Sequence, residues 1–98
     1  MDKDWEQFAV HFDKVHSDFL QIIKTAYPTL SSHELKLCAY LRMNLSSKEI
    51  AQLENISTRG VEISRYRLRK KLKIATETNL FDFLMELHSS GARPKPGA

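Results

Sequence analysis

Residues 46–73 read SSKEIAQLENISTRGVEISRYRLRKKLK. Ser46-Ser47-Lys48-Glu49 is a capping box, in which the serine hydroxyl bonds the N–H three residues on and the glutamate reaches back. Ile50, Ala51 and Leu53 then carry a short helix of about two turns, 47–53. Glu54-Asn55-Ile56 is a tight link, and Ser57 is a further N-cap. A longer helix runs from Thr58 to Lys73. A short helix, a tight turn and a longer basic helix form a helix-turn-helix pattern. Ala51 is the small residue expected where the two helices cross, and Ile56 is expected to close the small core between them. At about 100° per residue, Val61, Leu68 and Leu72 face the core, with Ser64 and Arg65 on the same side. Arg59, Glu62, Ile63, Tyr66, Arg67 and Lys70 lie opposite, flanked by Arg69, Lys71 and Lys73.

The charge is concentrated in the same place. The 98-residue chain has a net charge of +3, yet residues 57–73 carry seven Lys or Arg against the single Glu62. A basic run is commonly a solvated helix face. At this density on a small domain it is the electrostatic footprint of a polyanion binder. Ile63 and Tyr66 among cations suit a groove, where Ile63 would touch a thymine methyl and Tyr66 a phosphate or base edge. Arginines grip guanine bidentately or pair with phosphates. Ser46 and Ser57 are read as helix caps, with phosphate contact at the helix N-termini as an addition. Ser47, Lys48 and Thr58 stand beside them.

The rest of the chain is also helical in pattern. Pro28 is the one proline and Gly60 the one glycine before Gly91, and no window alternates with period two. Ser31-Ser32-His33-Glu34 is another capping box, opening a helix over 32–43 with Leu35, Cys38, Ala39, Tyr40 and Leu41. A last helix over 79–88 turns Leu80, Phe83, Leu84 and Leu87 inward and leaves Phe81 and Met85 as a second apolar patch. From Asp4 to Tyr27, Trp5, Phe8, Phe12, Val15, Phe19, Ile22 and Ala26 are spaced alternately three and four apart, a heptad seam. A break is expected at His16-Ser17-Asp18, with Ser17 as N-cap, and Pro28 ends the segment. The seam either covers the core of its own chain or joins two copies as a parallel coiled coil. Residues 89–98, rich in Gly, Pro and Ser, are predicted to be a disordered tail. The predicted fold is all-α: a helix-turn-helix bundle of four helices with an additional N-terminal helical segment. Its divisions are 1–28, 29–88 and 89–98.

Several functions are disfavoured. No apolar stretch approaches the ~20 residues of a membrane helix, and the N-terminus lacks a signal-peptide pattern. The single cysteine, Cys38, forms no intrachain disulfide and fits a reducing, cytoplasmic setting. His11, His16, His33 and His88 show no metal-ligand spacing. No Gly-rich phosphate loop and no nucleophile–base–acid set emerges. No enzyme activity, metal or cofactor is expected.

Leu30-Ser31-Ser32-His33-Glu34-Leu35, Ser47-Lys48-Glu49-Ile50-Ala51, Asn55-Ile56-Ser57, Gly60-Val61-Glu62 and Arg69-Lys70-Lys71-Leu72 together resemble the LuxR/FixJ-type helix-turn-helix. The likeness covers residues 30–88, and it extends to a variant found at the C-termini of large bacterial sensor-regulators. It implies sequence-specific binding of double-stranded DNA by the effector domain of a transcriptional regulator, as a homodimer and with an upstream sensor domain. The implied DNA-binding residues are Ser46, Ser47, Lys48, Ser57, Thr58, Arg59, Glu62, Ile63, Tyr66, Arg67, Arg69, Lys70, Lys71 and Lys73. The implied dimer contact is the last helix, through Leu80, Phe81, Leu84 and Met85. Three departures stand out: Asn44 where the family has glycine, Gly60 for a common threonine, and Glu62 for a common lysine. The alternative function is a helical interaction module whose basic helix docks an acidic protein partner.

Overall fold

Three turns of the chain are built alike, and they set the geometry of everything after residue 30. At Asn44, Asn55 and Lys73 the backbone enters the left-handed region, with φ of 61°, 58° and 59°. In each case the next residue returns its N–H to the helix just ended: Leu45 N to Tyr40 O at 3.2 Å, Ile56 N to Ala51 O at 3.0 Å, and Ile74 N to Arg69 O at 3.2 Å. The left-handed residue bonds back as well, Asn44 N to Leu41 O at 2.8 Å, Asn55 N to Gln52 O at 3.4 Å and Lys73 N to Lys70 O at 3.2 Å. These are Schellman closures, which satisfy the last carbonyls of a helix. Asparagine visits this region more readily than most residues, so Asn44 serves where the LuxR-type pattern has glycine.

The structure is a computed structural model that describes residues 3–91, with side chains from Glu6 to Ser90. Its helices are α1 (Lys3–Val15), α2 (Phe19–Ala26), α3 (Ser32–Arg42), α4 (Ser47–Glu54), α5 (Thr58–Leu72) and α6 (Leu80–Gly91). There is no strand among the described residues, so the all-α helix-turn-helix bundle expected from the sequence is the fold. Both predicted capping boxes are present: Ser31 Oγ accepts from Glu34 N and Ser46 Oγ from Glu49 N, each at 3.1 Å. Glu34 and Glu49 return a carboxylate oxygen to the serine N–H, each at 2.8 Å. At α6 the cap is Asn79, whose Oδ1 accepts from Asp82 N at 2.9 Å. That helix continues through Gly91, past the predicted end at His88. The remainder of the predicted tail lies outside the described residues.

α3 is the central helix, burying Leu35, Leu37, Cys38, Ala39 and Leu41 between α2, α6 and α5. Phe19, Ile23, Ile50, Val61, Leu68, Leu80 and Leu84 are its most deeply buried large neighbours in the core, each at most 1% exposed. A side chain of this size contributes about 1.5–3 kcal/mol when fully buried. Helix α4 rests on α5, with Ile50 and Ala51 of α4 and Val61 of α5 buried. Two sequence readings fail here. Leu53, read with Ile50 and Ala51 as an apolar position of the short helix, is 61% exposed, and Ile56, expected to close the α4–α5 core, is 44% exposed. Leu53 lies within α4, round the helix from the buried Ile50 and Ala51, and Ile56 follows the left-handed turn at Asn55.

The N-terminal segment breaks where predicted, but by another device. Ser17 and Asp18 are both left-handed, with φ of 53° and 62°, and neither side chain caps α2. Asp13, in the last turn of α1, does so instead. Its Oδ1 accepts from Leu20 N at 2.8 Å and its Oδ2 from Gln21 N at 3.2 Å. The corner shifts the helical register, so the heptad seam is not continuous. Phe12 and Phe19 are buried at 4% and 0%, Leu20 and Ile23 take over from Ile22, and Val15 is 63% exposed. The Trp5 side chain lies outside the described residues. Phe12 and Phe19 of the seam pack in the core of their own chain, and a parallel coiled coil through them would have to extract both. At this corner His16 stacks 4.2 Å from Phe12 and His88 meets Phe19 edge-on at 5.3 Å. His88 Nε2 donates to the Ser17 carbonyl at 3.0 Å, and the Arg42 guanidinium lies over Phe19 at 6.0 Å.

Candidate nucleic-acid interface

Helix α5 is anchored at its start by Ser57, whose Oγ accepts from Gly60 N at 3.0 Å. A Cβ on Gly60 would stand 3.3 Å from that oxygen. A larger residue there would press on the capping hydroxyl, which gives the glycine a local reason. Unlike α4, whose first turn carries Glu49, α5 has no acidic residue in its first turn. Its positive dipole end is not offset by a carboxylate. Of the two serine caps, Ser57 therefore offers the more favourable surroundings for an anion, and Ser46 shares its helix start with Glu49. Lys48, Thr58 and Ser57 are exposed, whereas Ser47 is half-buried.

Val61, Leu68 and Leu72 bury the inner face of α5 at 1%, 0% and 2% exposure, as the wheel requires. Arg59, Glu62, Arg67 and Lys70 are exposed on the outer face, together with Ile63 at 42% and Tyr66 at 52%. Lys70 Nζ lies 5.3 Å from the centre of the Tyr66 ring, a cation–π arrangement that fixes both side chains one turn apart. Arg65 is half-buried. Burial first, then the neighbouring Arg69, lowers the pKa of its guanidinium, while Glu62 opposes them. Glu62 thus interacts electrostatically with Arg65 on its own helix.

Two of the cations predicted for phosphates are committed within the fold. Lys71 Nζ donates to Glu34 Oε1 at 2.9 Å and to the Thr29 carbonyl at 3.3 Å, tying α5 to the start of α3. Arg69 Nη1 donates to the carbonyls of Ala75 and Thr78 and pins the loop between α5 and α6. The wheel placed these side chains on the flanks but could not show their partners. Lys73, Lys48, Lys70, Arg59 and Arg67 form no ion pair among the described residues. A link absent from the sequence reading also holds α4 in place: Glu54 receives His33 Nε2 at 3.2 Å and Lys36 Nζ at 3.8 Å. The four residues expected at a dimer contact divide between core and surface. Leu80 and Leu84, 1% and 0% exposed, belong to the monomer's core. Only Met85, at 36%, and the half-buried Phe81 remain at the surface.

A short supporting helix, a left-handed turn and a basic helix with a solvent-facing row of Arg, Ile and Tyr define a helix-turn-helix domain of the DNA-binding kind. The family described as GerE, bacterial regulatory proteins, luxR family, matches residues 28–84, more than half of the chain. The protein belongs to the luxR family, whose domains are DNA-binding transcription regulators. Comparison with curated proteins and with solved structures gives no match. No helix is long and apolar enough to cross a membrane among the described residues.

Proposed function

We propose that this domain binds double-stranded DNA in a sequence-specific manner, with α5 in the major groove, as the effector part of a transcriptional regulator. The observation that carries the reading is the outer face of α5. Ile63 and Tyr66 stand exposed between Arg59, Arg67 and Lys70, which sets a methyl-bearing and an aromatic side chain among cations on one face, the mix a base-edge and phosphate surface takes. Arg59, Ile63, Tyr66 and Arg67 face the bases. Lys70, Lys73, Lys48 and the N-terminus of α5 face phosphates, which position the helix without reading sequence. Binding is by two copies on half-sites related by a two-fold axis, about one DNA turn apart.

The experiment is duplex binding across a salt series and a panel of single-base substitutions. Lys73→Ala weakens binding to all duplexes alike and lowers the salt slope by about 1. Arg67→Ala relaxes the preference at particular base pairs by about 1–3 kcal/mol for a lost bidentate contact, and Ile63→Ala relaxes it at a thymine through a lost methyl contact. Uniform loss with base preference intact would remove α5 from the reading role. No binding to any duplex at low salt would transfer the basic face to an acidic protein partner.

A further inference from the structure

We propose that α1 is a self-association helix whose outer face pairs antiparallel with the same face of a second copy, centred on Val10, with Glu6 of each chain against Lys14 of the other. α1 turns Phe8 and Phe12 inward. Near the opposite side of its wheel lies Val10, 59% exposed, which lines a shallow depression together with Glu6, Gln7, His11 and Lys14. Glu6 and Lys14 are exposed and form no ion pair among the described residues.

Their placement makes the face self-complementary. Glu6 and Lys14 are each four residues from Val10, one turn to either side and about 6 Å along the axis. A two-fold axis through Val10 therefore brings each Glu6 opposite the other chain's Lys14, while the two valines meet at the centre. A parallel pairing would oppose Glu6 to Glu6 and Lys14 to Lys14. Charge thus selects the second copy and its direction, as isologous contacts require. Asp13 is held by its caps to α2 and stays out of the contact. A single pair of short helices buries less than a standard interface, so the association is weak, with a dissociation constant on the order of 0.1–1 mM. It uses neither the face of α5 nor DNA, so it stands or falls separately from the proposed function.

The test is sedimentation equilibrium of the whole chain without DNA, at concentrations up to about 1 mM. Glu6→Lys replaces two attractions by two repulsions and is expected to weaken association about ten-fold. The exchange Glu6→Lys/Lys14→Glu restores the pairing to near the original strength. Val10→Asp abolishes it. These positions lie at the surface, and circular dichroism confirms that each variant keeps its helices. As a second readout, Val10→Cys under copper–phenanthroline forms a disulfide-linked dimer. Cys38 is buried and its thiol is pushed up to about 12, so it does not compete. A chain that stays monomeric throughout this range, or an exchange variant as weak as Glu6→Lys alone, overturns the proposal and leaves the face to another occupant.

Discussion

A cation on a predicted reading face is ambiguous until its partners are known, and Lys71 illustrates the point. Its ammonium contacts Glu34 of α3, with side-chain exposures of 42% and 19%, so its first role is to fasten α5. Lys71→Ala is expected to lower stability by roughly 0.5–1 kcal/mol, read as a shift in the urea midpoint. In a double-mutant cycle with Glu34→Gln, most of that loss disappears when Glu34 is already changed. Duplex affinity of folded Lys71→Ala should fall less than that of Lys73→Ala, and the reverse order would return Lys71 to the DNA-facing set. The faces of α5 were legible from helical periodicity alone. The partners were not, because Thr29 and Glu34 lie about forty residues upstream and only the tertiary fold brings them near.

At the scale of elements, the chain writes its turns in a short code. Asn44-Leu45-Ser46 and Asn55-Ile56-Ser57 each place a left-handed residue, an apolar residue and an N-cap in succession. Helix stop, turn and next helix start thus occupy three positions. The serines and capping boxes were legible as starts. The asparagines were visible too, yet nothing in their spacing announced a positive φ. Lys73 fills the same place without a side chain suited to it. Lys73→Gly is therefore expected to stabilise the domain by about 0.5–1 kcal/mol while removing a DNA-facing cation. Thermal melting and duplex binding should then move in opposite directions. Asn55→Ala is expected to cost about 1 kcal/mol, and an unchanged melting temperature would show that the turn relaxes to another conformation.

Across the whole molecule, stability should fall with acid in two stages. Burial first, then the charges of Arg42 and His88, lower the pKa of His16, with Asp13 opposing them. A histidine whose pKa is depressed on folding binds fewer protons folded than unfolded, so its penalty begins as pH falls through about 6.5. Burial tends to raise Glu34, but the Ser31 N–H and Lys71 outweigh it and hold its carboxyl below the ordinary value. Its contribution is present above about 4.3 and is lost as pH falls through the lower folded value. Urea denaturation between pH 7 and pH 3 measures both stages. His16→Gln is expected to flatten the first stage and leave the second, and equal slopes in both proteins would exclude His16 as the cause. The helical bundle behind these effects was legible, but the α1–α2 corner only in part. The break at His16-Ser17-Asp18 was expected but its device was not, because neither the Asp13 carboxylate's grip on the next helix nor the paired left-handed residues leave a periodic trace.

The three Schellman closures also bear on kinetics. Each bonds residues no more than five apart, so the helix stops form without waiting for distant parts of the chain. Chains dominated by such near-neighbour contacts cross their folding barrier quickly, in microseconds to milliseconds. The slower events are the distant fastenings, chiefly Lys71 to Glu34 and His88 to the Ser17 carbonyl. A φ-value analysis would then place Asn55 and Ser57 high and Lys71 and His88 low, with weakened distant contacts showing in the unfolding rate rather than the folding rate.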